Sequence, residues 1–130
     1  MERAGRIEIA VVLTIFLAIG AFIYIQMTRP SWQPVWITAV VGDTSSRDLT
    51  VTVTHPRCRS APRVNVETQT AWAVELWAEQ NQAGSCDDVG LTTVVEVQLE
   101  DPLSNRILVI DQRSIGPEGV ECEITGRNSC

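Results

Sequence analysis

Along this chain the apolar positions follow two regimes. From Ile9 to Met27, IAVVLTIFLAIGAFIYIQM, they run almost unbroken; beyond Pro30 they recur in short stretches with a period near two. The first regime predicts a helix of roughly 28 Å at about 1.5 Å of rise per residue, close to the ~30 Å of bilayer hydrocarbon. Its Ile, Val, Leu and Phe side chains, at about −0.3 to −0.6 kcal/mol each, contribute roughly −5 kcal/mol to insertion and outweigh Thr14, Gly20 and Gln26. No charge interrupts the run. Pro30, which cannot donate a helical hydrogen bond, closes it just after Arg29.

The second regime predicts strands. Val35 to Val41 is rich in β-branched residues and ends in the loop composition GDTSS. Leu49 to His55, LTVTVTH, alternates strictly, with Leu49, Val51 and Val53 inward and Thr50, Thr52 and Thr54 outward; Pro56 is expected to end it. Val64 to Thr68 is a short strand with Val64 and Val66 inward. Thr70 to Ala83 has the composition of a helix, but Trp72, Val74, Leu76 and Ala78 alternate with Glu75, Trp77 and Glu79, and the period assigns Ala71 to Ala78 to a strand. On that reading Trp72 belongs to the core. Thr92 to Leu99 alternates Val95, Val97 and Leu99 against Val94, Glu96 and Gln98. Asp101 to Asn105 is a turn by composition, RILVID from Arg106 to Asp111 reads as a fully buried strand, and Gly116 to Gly119 turns again. The tail from Val120 to Cys130 offers little core.

These elements divide the chain into a cytoplasmic N-terminus (1–8), a transmembrane helix (9–27), a juxtamembrane linker (28–34) and an extracytoplasmic β domain (35–130). About 100 residues remain after the span, enough for one core. The expected fold is all-β, a small immunoglobulin-like two-sheet sandwich behind a single helix. Trp32 and Trp36, just beyond the span, fit an interfacial aromatic belt. Ala18-Ile19-Gly20 is the only small-residue stretch suited to signal-peptide cleavage, and the apolar run continues past it through Ile25, so an uncleaved anchor is expected. No cysteine precedes Cys58, which excludes a lipoprotein signal. Arg3 and Arg6 before the span, against Arg29 after it, place the N-terminus in the cytoplasm. All four cysteines, Cys58, Cys86, Cys122 and Cys130, follow the span, as an oxidising far side requires. Four cysteines permit three pairings.

Charge and side-chain inventory then narrow the chemistry. The net charge is −6, and beyond Pro30 Asp and Glu outnumber Arg two to one, which disfavours nucleic acid and anionic lipid as partners. Arg57, Arg59 and Arg63 form a local basic cluster that reads as a solvated face answered by nearby acids. The single histidine, His55, sits at a strand end beside Pro56, where a packing role outweighs a general base. One histidine and widely spaced cysteines do not make a zinc site. Asp87-Asp88 and Glu100-Asp101 would form a calcium site only if the fold joined them, and the spacing of an EF-hand is lacking. Glycine loops for phosphate and nucleophile elbows are also lacking, so neither a cofactor, a metal nor an enzymatic activity is expected.

A wider pattern is visible in Cys58 after an alternating strand, Val64-x-Val66, Cys86-Asp87-Asp88-Val89-Gly90, Val95-x-Val97-x-Leu99, and Asp101-Pro102-Leu103 followed by Arg106 and Asp111. From Leu49 to Asp111 the chain resembles small exported domains of actinobacteria that stand behind signal peptides or single anchors. The resemblance implies a disulfide between Cys58 and Cys86 and brings no activity and no catalytic residue. The tail departs from that pattern, and only proximity joins Cys122 to Cys130.

The expected function is therefore that of a membrane-anchored, non-enzymatic binding or adaptor module in the cell envelope. The alternative is an accessory subunit of a larger membrane complex, packed through the small residues Ala18, Gly20 and Ala21. For a protein or sugar partner the candidate contact is Trp77, flanked by Glu75 and Glu79 on the polar face of its strand. A second sheet, a loop or the tail from Val120 would cover it on the competing reading.

Overall fold

The computed structural model describes residues 2–84, 86–127 and 130, in two units, Met1–Pro30 and Ser31–Cys130. The first is helix α1, Glu2–Thr28. Its stretch Gly5–Thr28 has a mean hydropathy of 2.4 and is long and apolar enough to cross a membrane. Phe16, Leu17, Phe22 and Tyr24 are exposed, so the helix is apolar on every side rather than along one stripe. Thr14 and Thr28 donate their hydroxyls to the carbonyls of Ala10 and Tyr24, each at 2.8 Å, which satisfies both groups without water.

Among the described residues the second unit holds seven strands: β1 Trp32–Asp43, β2 Asp48–Arg57, β3 Arg63–Gln69, β4 Ala73–Asn81, β5 Asp87–Gln98, β6 Ile107–Ile110 and β7 Glu121–Thr125. Neighbours are bonded in the order β3-β4-β1-β2-β5, all antiparallel, while β6 runs parallel to β4 and β7 parallel to β1. The long strand β1 serves two layers. Trp32 to Val35 pair with β4, and Trp36 to Gly42 pair with β2 across a register shift between Ile37 and Ala39. That irregularity explains why Val35, Ile37 and Val40 all point inward, a spacing that strict alternation forbids.

The core lies between the layers. Val74, Leu76 and Ala78 of β4 belong to one buried cluster with Ile37 and Val40 of β1 and Leu49, Val51 and Val53 of β2. Burial follows the period of two on β2 and, as far as Ala78, on β4, and the Thr70–Ala83 ambiguity resolves to a strand because both flanks of β4 are hydrogen-bonded, by β3 on one side and by β1 and β6 on the other.

Several sequence expectations are corrected. Trp72 is outside the core and 81% exposed, because β4 begins one residue later and Trp72 stands on the turn before it. RILVID is not fully buried. Its strand β6 lies beside β4 alone, so Leu108 points in while Ile107 and Val109 face solvent. The tail supplies more core than expected, since β7 pairs with β1 and inserts Ile124 into the cluster. Pro56 does not end β2. It sits opposite Gly90 of β5, beyond Thr54, the last β2 residue paired with β1, where no neighbour calls on the missing amide hydrogen. The segment read as a linker is already strand from Trp32 on, with Trp32 opposite Asn81.

Candidate functional site

The outer face of the β3–β4 layer carries the residues the sequence singles out. Asn65 lies opposite Trp77 and Arg63 opposite Glu79. Glu79 is buried, and its carboxylate accepts from Arg63 Nε at 2.6 Å and Asn65 Nδ2 at 2.9 Å. Burying a carboxylate is costly unless it is paired, and here its Oε1 takes both bonds, one of them from a guanidinium. Glu79 is therefore a structural ion-pair partner.

Trp77 does reach the polar face, but it is half-buried under the guanidinium of Arg113, 4.4 Å above its ring. Arg113 comes from the single 3-10 turn Gln112–Ser114, and its neighbour Ser114 locks that turn to β4 by hydrogen bonds with the amide and carbonyl of Ala78. The same guanidinium contacts Asp111 twice at 3.0 Å and Glu67 at 3.5 Å. Side-chain and backbone hydrogen bonds from Arg113 hold the Asp111 carboxyl down at about 2, below the usual carboxylate range. Glu67, Glu75 and Asp111 come within 4.8 Å of one another, and Arg113 supplies the positive charge among them. What partly covers Trp77 is Arg113 from the connection between β6 and β7, a loop cover of the kind weighed from sequence, rather than a second sheet or the tail from Val120. Trp32 is treated alike, with Arg63 stacked 3.7 Å over its ring.

The remaining candidates are held by local partners. His55 is buried, and its ring nitrogens contact the Pro56 carbonyl at 2.8 Å and the Thr93 hydroxyl at 2.7 Å. Gln80 donates from Nε2 to the carbonyls of Pro56 and Ser60, and the same nitrogen lies 3.1 Å from His55 Nδ1. This is a packing histidine tying β2 to β5 and β4. Of the basic cluster, Arg57 is paired with Asp87 and Arg63 with Glu79. The acidic pairs stay apart: Asp87 opens β5 and Glu100 follows its end, a span of roughly 35 Å along an extended strand.

The cysteines pair Cys58 with Cys86, Cα atoms 4.4 Å apart, and Cys122 with Cys130, 6.0 Å apart. The first disulfide closes the open end of the β2–β5 pair, next to the last register contact, Arg57 with Asp87. Trp36, half-exposed, lies flat over Gly116, where an added Cβ would come within 2.8 Å of the ring. It borders a hollow of about 380 Å³ with Pro34, Pro56 and Asp88.

The residue that sequence reasoning misplaced is the most exposed aromatic side chain among those described. Thr70 Oγ1 accepts from the amides of Trp72 and Ala73 at 3.2 and 3.0 Å, and Thr70 donates its own amide to the Ala73 carbonyl at 2.9 Å. A threonine that satisfies the backbone two and three residues on is the local signal of a turn, and it marks Trp72 as the tip rather than the first core residue. Compared with protein-family models, with curated proteins and with solved structures, the chain matches none of them.

Proposed function

We propose that this chain is a non-catalytic, membrane-anchored binding or adaptor module of the cell envelope, with its N-terminus in the cytoplasm and its β domain outside. The observation that carries the reading is the division of the chain. An all-round apolar helix, Gly5–Thr28, leads into a separate unit, Ser31–Cys130, in which all four cysteines are paired. Disulfides persist on the oxidising side of a membrane, and the arginine bias before the span points the other end inward. A domain held in that way by a single helix offers its surface to partners, and its candidate catalytic groups, His55 and the paired acids, are occupied in packing or dispersed.

Epitopes fused to the two ends of the full chain test this reading. Antibody is expected to reach the C-terminal epitope on intact cells and the N-terminal one only after the membrane is permeabilised. The reverse pattern, or a C-terminal epitope found in the medium, would exclude the anchored, outward-facing arrangement.

A further inference from the structure

The end of the domain remote from chain entry is built differently from the rest of its surface. The chain enters at Ser31, and Trp32 pairs with Asn81 at one end of β4; Trp72 precedes Ala73 at the other, roughly 26 Å away along the strand. Three connections meet at that remote pole. The β3–β4 turn presents Trp72, the β5–β6 loop presents Glu100 and Asp101, and the β1–β2 turn supports the loop through Thr44 and Ser46, whose carbonyls accept from Ser104 at 2.7 Å and Leu103 at 3.2 Å.

Trp72 is 81% exposed, and the backbone that carries it is held by hydrogen bonds. Besides the Thr70 bonds, its carbonyl accepts from the Ile107 amide at 2.8 Å, which joins the turn to the start of β6, where exposed Ile107 and Val109 form an apolar strip. The acidic loop is equally fixed. Buried Arg106 donates to the carbonyls of Asp101 and Pro102 at 2.9 Å each, and Gln69 Oε1 accepts from the Glu100 amide at 3.2 Å. Because Arg106 spends its hydrogen bonds on carbonyls, the carboxylates of Glu100 and Asp101 remain on the rim of a polar hollow of about 620 Å³ next to the tryptophan turn. Asp43 and Asp48 add negative charge at the same pole, against exposed Arg47 and the more buried Arg106 and Arg127, so the exposed charge there is mainly acidic.

We propose that this pole docks a protein partner whose surface offers an apolar pocket rimmed by arginine or lysine, with Trp72 as the anchor and Glu100 and Asp101 as the complementary charges. The proposal rests on the binding-module reading and names the kind of partner. A tryptophan carried on a hydrogen-bonded turn costs little backbone ordering on burial, and large aromatic rings of this kind serve as central anchors of interfaces. The charge argues for a basic partner. A second copy would set acid against acid, and an anionic lipid surface would repel the same carboxylates. The strip of Ile107 and Val109 extends the apolar contact beyond one ring, as a protein pocket needs and a single stacked sugar does not.

The test uses the full-length chain in its own cell membranes, with photoreactive benzoylphenylalanine at position 72 and, as a control, at position 94, an exposed β5 site on the other layer. Position 72 is expected to give one protein adduct, cross-linked at a peptide with basic residues close to the reacted site, and position 94 is expected not to give it. Glu100→Arg combined with Asp101→Arg should lower the yield at position 72 by about fivefold or more, as should raised salt. Near-ultraviolet circular dichroism and retention of both disulfides establish that these variants fold. Absence of an adduct, an adduct to lipid, glycan or a second copy of the chain, or a yield indifferent to charge reversal overturns the proposal. Failure here leaves the anchor standing, and a chain that cross-links while free of the membrane refutes the anchor alone.

Discussion

Replacing Cys58 by serine is expected to lower the stability of the β domain by about 3 to 4 kcal/mol. The Cys58–Cys86 bond closes a segment of 28 residues, and the loop entropy it removes from the unfolded chain has that magnitude. The enclosed segment contains the whole of β3 and β4, the strands that leave the β2–β5 layer to build the opposite one. Without the bond, β2 and β5 are joined at that end by the ladder, by the His55–Thr93 contact and by the exposed Arg57–Asp87 pair, whose contribution is about 1 kcal/mol or less. Small domains have about 5 to 15 kcal/mol in total, so the variant should accumulate poorly and unfold at much lower urea. Cys122→Ser closes only a short loop, of sequence separation 8, and should cost less, about 2 to 3 kcal/mol. Urea titration of the full chain in detergent, followed by circular dichroism, gives both values. Equal losses for the two variants would contradict the account.

The second large effect concerns two adjacent residues of β4. Leu76→Ala is expected to cost about 2 to 5 kcal/mol, because the side chain is fully buried between the layers and its removal leaves a cavity. Trp77→Ala, one residue on and on the opposite face, should cost only about 1 to 2 kcal/mol, chiefly the stacking of Arg113 and partial burial of the ring. A helix at this position would not separate the two residues so sharply. The same urea titration measures both, and a Trp77 loss as large as the Leu76 loss would place the ring in the core and refute the assignment of faces.

Much of the fold can be read from the order of residues, and the reasons are specific. Strict alternation in LTVTVTH and in Val74, Leu76 and Ala78 survives because each strand has one face on the core and hydrogen-bonded neighbours on both sides. The apolar helix is legible because length and composition alone decide whether a segment can span. What escapes the sequence depends on three-dimensional neighbours. RILVID looks fully buried until β6 proves to lie beside β4 alone, and the tail looks peripheral until parallel pairing with β1 draws Ile124 inward. The resemblance pairs Cys58 with Cys86, and the structure pairs the same two residues; counting alone left three possibilities.

The candidate site was less legible. Trp77 was placed on the correct face, but its arginine cover comes from a 3-10 turn 36 residues away, a contact for which local periodicity carries no signal. Glu79 sits at an outward position of β4 and is nevertheless buried, because Arg63 and Asn65 of β3 close over it. Trp72 shows the opposite error. Its parity with Val74 assigns it to the core, and only the Thr70 turn, which ends the alternation before it begins, puts it in solvent.

The central claim is that one intact chain carries both an apolar anchor and an oxidised β domain. The intact mass of the protein recovered from washed membranes, taken before and after reduction, tests it most directly. The account predicts a species whose mass includes the apolar helix and which gains four hydrogens on reduction, two for each disulfide. A mature chain beginning near Ala21, or a mass unchanged by reduction, would contradict it.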